Sequence, residues 1–243
     1  MHINILTIFP EIFDALNYGV IGKAKTNKSF SIKIQDIRDY PVNKHGQIDS
    51  KPYGGGEGMV MMAEPLKRSL ESIPKEKLGK IIYLSPQGAL FDNTKAKKLS
   101  KEPSVTFICG RYEGIDQRFI DKYVDEEISI GDFIISGGEI AALCIIDSII
   151  RHIPGVLGNK DSSKNDSFSN GLLKGPQYSR PEVFEEISVP DILLSGDHKK
   201  IKEWKDLKSI EATIIRRPDL LNNVKLTKKQ RKLLEDLASQ SIL

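Results

Sequence analysis

Residues that bind metals or cross-link chains are scarce here. The 243 residues include two cysteines, four histidines and one tryptophan. Cys109 and Cys144 both lie in apolar runs, with no CxxC partner and no histidine cluster nearby. That spacing excludes a disulfide framework and a zinc site, and both thiols read as buried and free in a reducing compartment. His2, His45, His152 and His198 are scattered, and no GxSxG elbow is present, so a serine-hydrolase triad has no sequence support. No GxxxxGK[ST] occurs, which removes the P-loop enzymes. The glycines of GGGEG, at 54–58, lack GxGxxG spacing and do not join a strand to a helix, which argues against a dinucleotide fingerprint. No uncharged apolar run approaches the roughly 20 residues of a membrane span. The start, MHINILTIFPEIF, has neither a basic n-region nor a cleavage site, so no signal peptide is expected and the cytoplasm is the expected compartment. Internal repeats and low-complexity tracts are missing as well.

What is present suits a globular enzyme-sized chain. Hydrophobic residues make up 39% and charged residues 28%, enough to build a core. Net charge is only +3, but it is unevenly spread. Between Gly196 and Lys232 there are 12 Lys/Arg against 5 Asp/Glu, so the rest of the chain is net acidic. Such asymmetry fits a C-terminal part that meets a polyanion, and it also fits a plain solvated helical face.

Residues 125–151, DEEISIGDFIISGGEIAALCIIDSIIR, organise the reading. Residues 126–129 end a short strand, Gly131-Asp132-Phe133 turns the chain, and Gly137-Gly138 breaks a second apolar run. From Glu139 the pattern is a helix apolar nearly all round, which belongs in a core or an interface. Upstream, strands are predicted over 2–9, 30–34, 80–85 and 104–109. Pro10 suits the first turn of a helix carrying Ile12, Phe13 and Leu16. Asp92 and Asp116 are candidate N-caps. The aperiodic stretch 39–62 reads as an ordered loop anchored by Tyr53, Met59, Val60, Met61 and Met62. Alternating strands and helices predict an α/β domain with a mostly parallel sheet. Loops at Pro86, Gly110 and Gly131 follow strand ends, where open α/β sheets bind ligands. Beyond Arg151 the chain is polar, extended at 174–181, then helical. Asp197 caps a helix to Arg217, Thr227 and Gln230 form a capping box, and Trp204 reads as core.

Nine segments then follow one another in a familiar order: LTIFPEIF (6–13), YLSPQG (83–88), CGRYEGID (109–116), SIGDFIISGGE (129–139), RHIPGVLG (151–158), NDSF (165–168), YSRPEV (178–183), LLSGDH (193–198) and RRPDLL (216–221). Over essentially its full length the chain resembles the bacterial tRNA (guanine-N1)-methyltransferases, the TrmD family of the SPOUT class. The resemblance implies a trefoil-knotted, mostly parallel α/β domain over 1–158 that binds S-adenosylmethionine. It implies a flexible linker over 159–173 and a smaller helical tRNA-binding domain over 174–243. It further implies a homodimer with its active site at the subunit interface, and methylation of N1 of guanosine-37, beside the anticodon. Glu57 departs from the family, which commonly has proline there.

By the same resemblance, Tyr83, Leu84, Ser85 and Pro86 form one wall of the donor site. Gly110, Tyr112, Glu113 and Gly114 form a second. Ser129, Ile130, Gly131, Asp132, Phe133, Ile134 and Ile135 wrap the donor largely through backbone groups, and Gly137, Gly138 and Leu143 close the site. Asp166 is the implied general base and Arg151 the cation at guanine O6. Asp49, Lys199, Lys200, Lys202, Arg216 and Arg217 are candidate RNA contacts. Family activity is linked to Mg²⁺, yet no DxD-type cluster marks an ion site. Taken alone, Asp166 is a solvated linker residue, and Arg151 a helix-end cation worth roughly 0.3–1 kcal/mol. Two other readings remain beside this one: a SPOUT enzyme acting on another base or a ribose, and a non-catalytic RNA-binding protein.

Overall fold

Short β-branched runs make the strands, and the glycine-rich segments connect them. The structure, a computed structural model, describes residues 1–157, 166–224, 226, 227, 230–232 and 234. In order these form β1 (His2–Thr7), a 3-10 helix (Pro10–Asn17), α1 (Gly19–Thr26), β2 (Ser31–Asp36), a 3-10 turn (Ile37–Asp39), β3 (Asp49–Ser50) and β4 (Val60–Met61). Then come α2 (Ala63–Glu71), α3 (Lys75–Leu78), β5 (Lys80–Leu90), α4 (Asn93–Leu99), β6 (Ser104–Cys109), α5 (Gln117–Tyr123), β7 (Glu126–Ser129) and α6 (Gly138–Ile150). The last elements are β8 (Val183–Phe184), β9 (Ile187–Ser188), α7 (Asp191–Leu194), α8 (His198–Arg216) and a 3-10 helix (Pro218–Asn223). The chain divides into two units, Met1–Gly158 and Asn159–Leu243.

In the first unit β2, β1, β6, β5 and β7 lie side by side in that order, all parallel. Alternation along the strands splits the core between the two faces. Ile3, Ile5, Ile82, Leu84, Phe107 and Cys109 pack with Ala142, Ile145, Ile146 and Ile149 of α6. Leu6, Ile81, Tyr83 and Ile108 pack with Leu66 and Leu70 of α2 and Phe119 of α5. Every residue of β6 is buried, as expected for an inner parallel strand covered on both faces. Asp92 caps α4 by accepting from Lys95 N–H at 2.7 Å, and Asp116 caps α5 by accepting from Arg118 N–H at 3.0 Å.

Several expectations need correction. β5 does not stop at Ser85. Leu84 and Ala89 both stand opposite Ile128 of β7, so residues 85–88 bulge out and the strand resumes to Leu90. Gly88 makes this possible, because a Cβ there would lie 2.3 Å from the Ile128 nitrogen. Cys109 is buried, but Cys144 is exposed. It shares with Ile140, 50% exposed, a stripe of α6 that the sheet does not cover. Of the apolar residues expected to anchor the stretch 39–62, Met61 is fully buried, while Tyr53 is 99% exposed. Val60 and Met61 do close the segment 51–59, as β4 paired with β3. No described helix is long and apolar enough to cross a membrane.

In the second unit Leu172, Ile210 and Ile214 form a small core. Residues 159–165 of the expected linker lie outside the described residues. The later part is tied to α8, since Thr213 Oγ1 accepts from Leu173 N–H at 2.9 Å. Trp204 is half-buried beside Tyr178, with ring centroids 6.3 Å apart, rather than in this core. Thr227 and Gln230 exchange the reciprocal bonds of a capping box. Asp197 Oδ1 accepts from the N–H groups of both Lys199 and Lys200 at 3.1 Å, closing the start of α8. Asp197→Ala is therefore expected to destabilise the second unit by about 1 kcal/mol. Urea unfolding followed by fluorescence of Trp204, the single tryptophan and itself on α8, measures that loss.

Candidate active site

The bulge within β5 and the loops that leave the carboxyl ends of β6 and β7 meet around a cavity of about 380 Å³. That volume lies within the roughly 300–1,000 Å³ of small-molecule sites. The first wall is the bulge of β5, with Ser85, Pro86 and Gln87. The second is 110–115, and the third is 128–131 with 133–138. The walls approach closely because glycines stand where they touch. The N–H of Gly138 donates to the carbonyl of Gly110 at 3.0 Å, and a Cβ on Gly138 would lie 2.8 Å from Cys109 Cα. A Cβ on Gly110 would lie 2.8 Å from the Tyr83 hydroxyl. Much of the lining is thus backbone, able to present N–H and C=O groups to a polar ligand.

One buried ion pair braces these walls. Glu139, in the first turn of α6, is fully buried. Its Oε1 accepts from Thr7 Oγ1 at 2.8 Å and its Oε2 from Arg111 Nε at 2.9 Å. Arg111 also donates Nη1 to the Ser136 carbonyl at 3.2 Å and lies over the Phe9 ring, 4.5 Å from its centroid. Removing Arg111 would leave the fully buried Glu139 charge uncompensated, at a cost of about 3–5 kcal/mol. Burial, with the Glu139 charge adding to it, pushes the Cys109 thiol well above its usual range, so it is inert packing. Burial, followed by the charge of Glu127, pushes the Tyr83 phenol up to about 12.

Most residues expected at a donor site line this one cavity: Tyr83 to Pro86, Gly110, Tyr112, Glu113, Gly114, Ser129, Ile130, Gly131, Phe133, Ile134, Ile135, Gly137 and Gly138. Asp132 and Leu143 do not. Asp132 is exposed, and Leu143 packs against the core while Ala141 takes the place at the wall. Gln87, Arg111, Ile115, Gln117, Ile120, Glu127, Ile128 and Ser136 also line it and were not anticipated. Arg111 sits inside the CGRYEGID motif, and an acidic residue heading an apolar helix, as Glu139 does, signals a buried partner.

Arg151 closes the opposite end of α6 and is exposed. Thirteen residues of helix at about 1.5 Å each put it roughly 20 Å along the axis from Gly138. Asp166 belongs to the second unit. There it lines a separate cavity of about 550 Å³ with Lys174, His198, Lys202, Lys205 and Asp206 among others. Lys174 Nζ is 3.7 Å from its carboxylate. Lys199, Lys200 and Lys202 are exposed near the start of α8, and Arg216 and Arg217 at its end. Asp49 lies on β3, and burial together with a hydrogen bond to Asp49 raises the Tyr112 phenol.

Comparison with known proteins agrees over nearly the whole length. The family described as tRNA (Guanine-1)-methyltransferase TrmD matches residues 1–223. A "tRNA (guanine-N(1)-)-methyltransferase" of Clostridium novyi (strain NT) is 50% identical over 235 residues, 97% of each chain. One of Clostridium botulinum (strain Loch Maree / Type A3) is 48% identical over 236 residues, 97% of this chain and 98% of its own. One of Clostridium beijerinckii is also 48% identical over 236 residues, with the same coverage.

Two measurements check the cavity walls. Gly138→Ala forces a Cβ into backbone that cannot swing aside, and denaturant melts are expected to show a loss of roughly 1–3 kcal/mol. Tyr83 stays protonated in the folded chain after its unfolded counterpart, with a value near 10, has ionised. Its contribution to stability is whole below that pH and is lost as pH rises through about 12. Ultraviolet titration is expected to show a phenol ionising near pH 12 that Tyr83→Phe removes.

Proposed function

The chain belongs to the tRNA (guanine-1)-methyltransferase family, and from that premise we propose how its residues carry out the reaction. It is an enzyme that transfers a methyl group to N1 of a guanine in tRNA, with S-adenosylmethionine as donor and guanosine-37 as the target. The observation that carries this reading is the convergence on one cavity of the β5 bulge and the glycine-bearing loops at the carboxyl ends of β6 and β7. That cradle suits the donor, because backbone groups can meet its adenosine and methionine parts where side chains would fill the space. The bound donor supplies an electrophilic methyl on a sulfonium.

The protein must then make guanine N1 a nucleophile. N1 carries a proton, and Asp166 takes it as general base, a role worth on the order of 10²–10⁴ in rate. The negative charge left on O6 is met by the Arg151 guanidinium, which donates two parallel bonds and does not lose its own proton. Arg151 lies roughly 20 Å along α6 from the donor cavity. A homodimer with the active site at the subunit interface resolves that separation, since a second copy supplies the cation. The exposed stripe of α6, Ile140 and Cys144 with Arg151 at its end, supports such an interface. The trefoil knot is proposed on the strength of the family alone.

The first unit is thus the catalytic domain and the second the tRNA-binding one, with 159–173 as the link between them, in the cytoplasm. The exposed Lys199, Lys200, Lys202, Arg216 and Arg217 meet phosphates, and Asp49 stands by the donor site as a further RNA contact. Mg²⁺ finds no group of three or more His, Cys, Asp or Glu among the described residues, and no step is assigned to it. Asp166→Ala is expected to lower turnover on tRNA transcripts by several orders of magnitude while calorimetry shows unchanged donor binding. Mass spectrometry of digested tRNA locates the methyl group. A methyl on ribose, or turnover like wild type in the Asp166 variant, would overturn the mechanism.

A further inference from the structure

We propose that Arg111 and Glu139 are a positioning clamp that sets the spacing between two walls of the donor cavity, so that donor affinity depends on this buried pair. The inference rests on the reading of the cavity as the donor site. Arg111 leaves the wall formed by 110–114, and its guanidinium is held by the wall that ends at Ser136 and Gly137. Nη1 reaches the Ser136 carbonyl at 3.2 Å. Gly137 offers the bare backbone against which the side chain lies, since a Cβ there would be 2.2 Å from Arg111 Nε. Glu139 holds the same nitrogen at 2.9 Å from the start of α6. Thr7 anchors the other Glu139 oxygen to the end of β1, and Phe9, two residues on, underlies the guanidinium. One side chain thereby fixes the ends of β1 and β6, the loop after β7 and the first turn of α6.

The choice of residues follows from these demands. Glu139 does not line the cavity, so it acts through Arg111. A fully buried carboxylate is costly, and an apolar pair of similar volume would stabilise the fold as well or better. What an apolar pair cannot do is hold a planar fork at fixed angles to two acceptors while its face stacks on a ring. Lysine cannot do it either.

The test separates a clamp from a direct contact and from a merely structural role. Arg111→Lys and Glu139→Gln are compared with wild type by calorimetry, using S-adenosylhomocysteine and 5′-methylthioadenosine, which lacks the amino-acid end. Both ligands are expected to weaken by the same factor, about tenfold or more, with the kinetic loss appearing in KM for the donor far more than in kcat. Weakening confined to S-adenosylhomocysteine would mean that Arg111 binds the donor carboxylate directly, and would overturn the clamp. Unchanged binding of both ligands alongside a lowered melting temperature would also overturn it, leaving a structural pair. If Glu139→Gln does not fold, Phe9→Leu keeps the ion pair, removes only the ring, and is expected to weaken both ligands about threefold. Wild type that binds neither ligand would instead sink the donor-site reading.

Discussion

Helix α6 can start where it does only because Gly138 has no side chain. Its Cα faces Cys109, and its N–H bonds to the Gly110 carbonyl at 3.0 Å. That backbone-to-backbone approach brings the loop after β7 against the loop after β6. It also aims the first turn of α6 at the end of β1, so that Glu139 reaches Thr7 on one side and Arg111 on the other. A larger residue at 138 would push the helix out and pull apart the walls of the cavity. The apolar face of α6, from Ala141 to Ile150, holds the helix on the sheet. The glycine decides how closely it sits.

The same economy of side chains runs through the rest of the site. At Gly88 the β5 bulge rests on the backbone of β7, and at Gly110 the phenol of Tyr83 fills the space a Cβ would take. Close-packed interiors leave little room for adjustment, so these contacts hold the loops in one arrangement. A site built this way suits recognition by shape and backbone polarity, with Arg111, Glu113 and Glu127 as the charged side chains in its lining. Arg111 and Glu139 are spent on bracing each other. The chemistry is assigned to Arg151 and Asp166, which lie elsewhere in the chain.

The division of labour follows the charge distribution. The first unit is built on a sheet with apolar residues on both faces, and the basic surplus falls in the second, along α8 and beyond. A buried parallel sheet fixes a small molecule precisely enough for transfer at a single atom, whereas exposed lysines and arginines suit a long, flexible polyanion. In the proposed mechanism the general base lies on the unit assigned to RNA, which would tie deprotonation to the arrival of substrate.

Local chemistry made much of this legible in one dimension. The strands over 104–109 and 126–129, the first strand (expected over 2–9 and formed over 2–7), the caps at Asp92, Asp116 and Asp197, and the box at Thr227 and Gln230 depend on neighbours a few residues away, so pattern alone located them. The order of motifs was enough to indicate the family. Other features depended on partners far along the chain. β5 continues past Pro86 because β7 accepts it again at Ile128. Cys144 is exposed because it lies on the side of α6 turned from the sheet, which apolar periodicity on an all-apolar helix cannot reveal. α1 begins at Gly19 and contains Gly22, both poor helix formers, and no sequence signal marked it. The union of Thr7, Arg111 and Glu139 joins Thr7 to two positions more than a hundred residues further on, so only packing in three dimensions could decide it.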